Sequence, residues 1–191
     1  MGLGDVLFGR KKLKGANLDR LFALSTAQLT LQTEIGLEPA GVAAVVFKPL
    51  SAGEFVQAER DLDELLGVAA RDSGSKVSRR SDTFGFQWLV VRDSDFEDLV
   101  TTTHLVSSEL QERGFGGQLL AAVFLFKGGE HPTYLIYGYK TATFWPFVPT
   151  GKDQERDNAQ ELKLKAQLEK ELPMEPDLTR WLALFDAPLD D

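Results

Sequence analysis

The sequence predicts an α+β fold, with helices packed on a mainly antiparallel β-sheet in two layers. Three observations predict it. Hairpin-type links dominate, such as Lys127-Gly128-Gly129-Glu130-His131-Pro132 between two apolar runs, where parallel strands would need long crossovers. Strand alternation is clearest over Thr83 to Arg92, with Phe84, Phe86, Trp88 and Val90 on one face. Helical spacing follows two capping-box patterns, Ser51 with Glu54 and Ser94 with Glu97. The order of elements reads αββα, ββα, βββα, which suits segregated helices and hairpins.

Taken in order, Asn17 is placed to cap a short helix through Leu18, Leu21 and Phe22. Residues 28–48 read as two strands. Leu29 and Leu31 alternate with Gln28, Thr30 and Gln32; Gly36 to Gly41, with Pro39, is a turn; and Gly41 to Phe47 is an unbroken apolar run suited to a buried strand. Ser51 opens a helix on which Phe55, Ala58, Leu62, Leu65 and Leu66 face one way. Polar residues 71–76 form a loop. The helix after Ser94 buries Phe96, Leu99, Val100, Thr103, Val106 and Leu110 and stops at Gly114. Gln118–Phe126 and Thr133–Tyr139 are strands. Ala142–Val148 is a third, confined to an edge because Pro146 has no ladder donor. Asp153–Leu172 is a polar helix with a Glu161–Lys165 pair, stopped by Pro173. Leu178, Trp181, Leu182 and Phe185 recur at helical spacing and pack an acidic tail onto the body. The division is a flexible apolar and basic segment, residues 1–16, followed by a single α+β domain, residues 17–191.

Composition narrows the function. The 191 residues carry 21 basic and 29 acidic side chains, a net charge of −8. Broad nucleic-acid binding needs a basic footprint and is disfavoured. With no cysteine, thiol nucleophiles, disulfides and cysteine-ligated metals are excluded. With only His104 and His131, a three-histidine metal site is impossible. No apolar run is long enough to cross a bilayer, and the basic run Arg10 to Lys14 follows the apolar patch where a secretory signal would have it precede. The expectation is a cytoplasmic protein.

Catalytic patterns are weak. Gly114-Phe115-Gly116-Gly117 follows a helix, the reverse of the order that puts a phosphate on a helix N-terminus. Thr150-Gly151-Lys152-Asp153 lacks both the hydroxyl that would hold magnesium and the upstream glycine of a phosphate loop. His104 lies near Ser107 and Ser108, but no nucleophile-elbow pattern accompanies it. Asp153, Glu155, Asp157 and Glu161 suit a helix N-terminus better than a cation site. Arg156, Asp157 and Asn158 are a candidate polar network. No cofactor, metal site or catalytic residue is expected.

Two candidate contact surfaces remain. In residues 1–16, apolar Leu3, Val6, Leu7 and Phe8 precede Arg10, Lys11, Lys12 and Lys14. This segment carries +3, leaving −11 on the rest, and it suits an anionic membrane surface or a partner. Tyr139, Phe144, Trp145 and Phe147 sit on both parities of adjacent strands and are a candidate exposed partner surface.

Several segments together resemble a known family. They are Met1-Gly2-Leu3 through Leu7-Phe8-Gly9-Arg10, Asn17-Leu18-Asp19-Arg20-Leu21-Phe22-Ala23-Leu24, Phe86-Gln87-Trp88-Leu89-Val90-Val91, Tyr139-Lys140 with Thr143-Phe144-Trp145-Pro146-Phe147, Arg156-Asp157-Asn158-Ala159, and Glu175-Pro176-Asp177-Leu178 with Arg180-Trp181. The pattern resembles the actinobacterial PspA-associated PspAB family, in order and over nearly the whole chain. The resemblance implies a non-enzymatic accessory of the envelope-stress response. Its partner would be PspA, the coiled-coil protein that coats stressed inner membranes, or a membrane metalloprotease system. It would act in the cytoplasm or at the inner face of the membrane. Two alternatives are a secretion-chaperone-like dimer holding an extended client along its sheet, and an unrecognised hydrolase using His104 or the acids near Asp157.

Overall fold

A computed structural model describes residues 17–48, 64, 67, 74–152 and 154–189. The N-terminal segment 1–16 and the helix expected from Ser51 lie outside the described residues, except that Glu64 and Gly67 are helical.

The chain enters through a short helical turn, Asp19–Phe22, which runs into α1 (Ala23–Thr30) and a wider turn, Leu31–Ile35. The strand expected around Leu29 and Leu31 is therefore helix. Alternation would put these two leucines on one face, but residues two positions apart in a helix are about 200° apart around its axis. Leu31 is buried with Leu21, Leu24 and Ala27, while Leu29 is 70% exposed. The entering turn also lacks the Asn17 cap, since Leu18 precedes it with no side-chain hydrogen bond.

β1 (Glu38–Phe47) starts earlier than the apolar run. Gly41 sits at a shift of register against β4, with φ of 75° and its carbonyl accepting from Asp93 N at 3.1 Å. β2 (Lys76–Ser81), which starts at the last residue of the expected polar loop, is an edge strand with one apolar residue, Val77. β3 (Gln87–Arg92) is shorter than expected. Asp82 Oδ1 accepts from Phe84 N and Phe86 N, both at 2.9 Å, folding those residues into the hairpin turn. α2 (Phe96–Glu112) buries all six expected residues. Its cap is Asp95, one residue after the expected Ser94: Oδ1 accepts from Glu97 N at 2.9 Å and Asp98 N at 3.1 Å. β4 (Leu119–Lys127), β5 (Thr133–Gly138) and β6 (Thr143–Phe147) follow, then α3 (Asn158–Leu168).

The six strands form one sheet in the order β2-β3-β1-β4-β5-β6, and every neighbouring pair is antiparallel. The fold is α+β, as expected. β6 is at an edge, as Pro146 requires. Its outer side is capped by the chain around Met174, with Phe144 N donating to Pro173 O and Glu175 N to Phe144 O, both at 2.8 Å.

The two faces of the sheet have different covers. Ala43, Val45, Leu89, Val91, Ala122, Phe124, Leu135 and Tyr137 pack under the helices, with Leu24 of α1, Val106 of α2 and Leu164 of α3. The opposite face presents Val42, Val46, Trp88, Val123, Ile136, Trp145 and Phe147 to the C-terminal segment, which contributes Trp181 and Leu189. Only a short turn, Leu178–Arg180, is helical there, so the helical spacing expected for the tail is corrected. Trp181 is buried, but Leu178 and Leu182 are exposed. The tail is an extended strap, fixed by a few buried side chains.

Candidate functional site

The strap covers its face of the sheet incompletely, and the reason is a taper in side-chain size. Cross-strand partners place Trp88, Val46, Ala121 and Gly138 in one row over four strands. The row falls from indole to isopropyl to methyl to nothing. The missing side chain at Gly138 makes room for the Trp145 ring, since a Cβ there would lie 2.9 Å from its Cζ3. A groove of about 780 Å³ remains between this row and the strap. That is within the range of about 300–1,000 Å³ usual for binding sites. Trp88, Trp145, Phe86, Leu120, Leu184 and Phe185 give it an apolar lining. Phe84, 69% exposed, and Leu182, 60% exposed, also line it. Asp82, Lys140, Glu175, Arg180 and Asp186 add charge.

Hydrogen bonds hold the strap. Trp145 Nε1 donates to the Leu182 carbonyl at 3.1 Å, and Trp181 Nε1 to the Glu175 carbonyl at 3.1 Å. Arg156 Nη1 donates to the Trp181 carbonyl at 3.1 Å, and Arg92 Nη2 to the Leu189 carbonyl at 3.0 Å. Phe185 meets Phe147 edge-on with ring centres 5.0 Å apart. Between the anchors at Trp181 and Leu189, residues 182–187 are exposed or half-buried. Glu175 is buried, with Oε2 accepting from Thr143 Oγ1 at 2.8 Å and Oε1 from Asp177 N at 3.1 Å. Asp177 accepts from Thr179 Oγ1 at 2.6 Å and Thr179 N at 3.0 Å, and these bonds hold its carboxyl below the usual range.

The residues picked out by sequence fare differently. Leu3, Val6, Leu7, Phe8, Arg10, Lys11, Lys12 and Lys14 lie outside the described residues. Tyr139, Phe144, Trp145 and Phe147 are at most 5% exposed, so they form no exposed partner surface. Large rings occupy both parities because both faces of the sheet are covered. Tyr139 and Phe144 join the layer under the helices, Trp145 and Phe147 the layer under the strap. Trp145 nonetheless lines the groove.

Of the polar network, Arg156 is its centre. Its Nε donates to both Glu161 oxygens at 2.9 and 3.0 Å, and its Nη2 lies 2.8 Å from Oε2. Its guanidinium also sits 5.2 Å from the centre of the Phe147 ring. Asp157 belongs to α3, accepting from Gln160 N as its cap at 2.9 Å, and Asn158 is the first residue of that helix. Sequence reasoning paired Glu161 with Lys165. Instead Glu161 is buried under Arg156 and accepts from Val148 N at 2.9 Å, while Lys165 pairs with Glu169 at 3.6 Å. A carboxylate at a position of the leucine stripe, three residues before Leu164, was the signal available for it.

A second, polar cleft of about 500 Å³ contains Asn17, Asp19, His104, Ser108 and Gln111. His104 Nε2 lies 3.6 Å from the exposed Asp19 carboxylate, and its ring lies against Phe22, with centres 4.6 Å apart and planes tilted by 39°. The Ser107 hydroxyl is shared by the Thr103 carbonyl and the Tyr139 hydroxyl. Among the described residues, no group of three His, Asp or Glu side chains could hold a metal ion, and no helix is long and apolar enough to cross a membrane.

Comparison with curated proteins and with solved structures gave no match. The model of one family, PspAB (PspA associated protein B), matches residues 1–189. The match runs over nearly the entire length, and the chain belongs to the PspA associated protein B family.

Proposed function

We propose that this chain is a non-catalytic binding protein of the envelope-stress response, and that it holds the apolar face of a PspA helix in the groove beneath the strap. The observation that carries this reading is the groove itself, walled by Trp88, Trp145, Phe86 and Phe185. Rigid aromatic side chains in a preformed pocket are the usual anchors of a protein contact. An amphipathic helix presents a stripe of apolar side chains, and a groove of this kind takes such a stripe. The family's name ties the chain to PspA. On this reading the chain would work in the cytoplasm, at the inner face of the membrane.

The hydrolase reading has less behind it, because the Ser107 hydroxyl is engaged and, among the described residues, the carboxylate facing His104 is the exposed Asp19, beyond hydrogen-bond distance. The groove also suits a chaperone-like client site, but that reading needs a symmetric dimer, which light scattering on the purified chain would detect.

The test uses Phe84→Asp with Leu182→Asp in the full chain. Both side chains are exposed, so stability should hold within about 0.5 kcal/mol. Co-sedimentation with PspA should drop at least tenfold. Binding equal to that of the unaltered chain would remove the groove from the contact.

A further inference from the structure

We infer that the groove has an occupant within the same chain: residues 3–14, with Leu3, Val6, Leu7 and Phe8 seated between the sheet and the strap and Arg10, Lys11, Lys12 and Lys14 on its acidic surroundings.

Residue 17, to which the segment is joined, is anchored at the end of the sheet where the groove lies. Asn17 N donates to the Tyr139 carbonyl at 3.2 Å, and the Tyr137 hydroxyl donates to the Asn17 carbonyl at 3.0 Å. This fixes residue 17 at the end of β5. The groove opens at the same end of the sheet: Gly138, Lys140 and Thr141, the neighbours of Tyr139, all line it. So do Val46 near the end of β1, Leu120 at the start of β4 and the Asp82–Phe86 turn between β2 and β3.

The segment is also long enough. Phe8 and Leu3 are 9 and 14 residues from Asn17. An extended chain of that length reaches about 30 to 50 Å. The tether therefore reaches the groove with slack, and Gly9 and Gly15 let the backbone turn on the way.

Its charge is opposite to that of the rest of the chain. Residues 1–16 carry +3 and the remainder −11. Asp82, Glu175 and Asp186 line the groove, and Asp19 and Glu112 line the polar cleft beside Asn17, where the segment joins the fold. Two cations, Lys140 and Arg180, also face the groove, but Arg180 is 3.3 Å from Asp177.

Tethering decides between this occupant and a free one. A short linker holds its end at an effective concentration on the order of millimolar. Four apolar side chains need only millimolar affinity to fill the groove most of the time. A partner from solution must then displace them, and its apparent affinity falls by the fraction of time the groove is closed. Displacement would also free the cationic segment for an anionic surface. The groove and the segment would thus become available together.

The test needs the isolated full chain and no PspA, so its failure and that of the PspA reading are distinguishable. A photo-activatable benzoylphenylalanine replaces Phe8, and the products are mapped by mass spectrometry. Cross-links within one chain to peptides holding residues 82–88 or 182–187 are expected. Cross-links only in the His104 cleft, only between two chains, or none at all would overturn the inference. The second measurement is binding of anilinonaphthalene sulfonate to the full chain and to Leu7→Glu with Phe8→Glu. The variant should take up several-fold more dye, because its groove is vacated. Equal uptake would count against an internal occupant.

Discussion

Gly138 and Trp145 occupy the same space above the sheet: a Cβ on the glycine would stand 2.9 Å from Cζ3 and 3.3 Å from Cη2 of the indole. The same Cβ would be 3.0 Å from Thr141 Oγ1. The Trp145 ring is what holds the strap at Leu182, so one absent side chain sets the shape of the groove. Gly138→Ala should push the indole aside and destabilise the fold by about 1–3 kcal/mol, the usual cost of overpacking. Urea denaturation gives the size, and a change in tryptophan fluorescence reports the ring. An unchanged midpoint and spectrum would show that the ring has room to spare.

Arg156 and Glu161 should behave as one unit. Glu161 is buried, and removing either partner leaves the other charge without compensation. Breaking such a pair costs about 3–5 kcal/mol. Glu161→Ala also strips the acceptor from Val148 N, so it should fall in that range. Arg156→Ala loses its bond to the Trp181 carbonyl and its place beside Phe147. The double variant should cost clearly less than the two singles together, because neither charge is then left alone. Additive losses in denaturant titrations would contradict a coupled pair.

The cap of α2 separates two adjacent residues that sequence patterns confuse. Asp95 carries both cap bonds. Asp95→Ala should cost about 1 kcal/mol, and Ser94→Ala much less. A larger effect at Ser94, measured by thermal or urea unfolding, would restore the capping box that the sequence suggests.

What the sequence made legible follows from how local each signal is. The face of α2, the edge position forced by Pro146 and the buried run Gly41–Phe47 each rest on periodicity or on one residue's covalent geometry, and they came through. The stretch at Leu29 did not, because five residues of alternation also fit a helix, and the packing of Leu31 beside Leu24 settled it. β2 carries little local signal because Lys76–Ser81 is an edge strand with Val77 as its one apolar residue, and its side-chain ties to β3 come from a distant residue, Gln87, whose Oε1 accepts from Arg79 Nε at 3.0 Å and Ser81 Oγ at 3.1 Å. The groove was illegible for a different reason. Ala121 and Gly138 are 17 positions apart and become neighbours only through the β4–β5 register. The burial of Tyr139, Phe144, Trp145 and Phe147 was illegible in the same way, since nothing local announces that an irregular tail covers the second face.

Alkaline pH should unfold the protein through its paired tyrosines. Burial pushes the Tyr137 phenol up from 10.0 to about 12; Arg20 works against the shift and Asp19 with it. Burial also raises Tyr139, against the opposing bond to Ser107. A group with a raised folded pKa holds its proton more tightly in the folded state. Its stabilisation is complete below pH 10 and is lost as the pH climbs toward 12. The urea midpoint should therefore stay level to about pH 10 and fall steeply by pH 12. Tyr139→Phe should make that fall shallower, whatever the variant costs at neutral pH. A flat midpoint over this window would show the phenols to be solvated.

Trp181 is where the strap's stability and the groove's access meet. Its ring is buried against the sheet, its Nε1 donates to Glu175 O and its carbonyl accepts from Arg156. Trp181→Ala should cost about 3–5 kcal/mol, the usual loss for a buried aromatic residue. The loss should be unevenly distributed. Residues 182–187 cross the groove, while the helices pack on the opposite face. Hydrogen exchange should therefore quicken first at Leu182 and Leu189, whose amides donate to Arg180 O and Ala187 O, and last at the amides of β1 in the sheet centre. Leu178→Ala, at an exposed position nearby, should change neither measurement. Uniformly faster exchange over strap and sheet alike would mean that the strap unfolds only with the whole domain, and a partner could then enter the groove only as it stands.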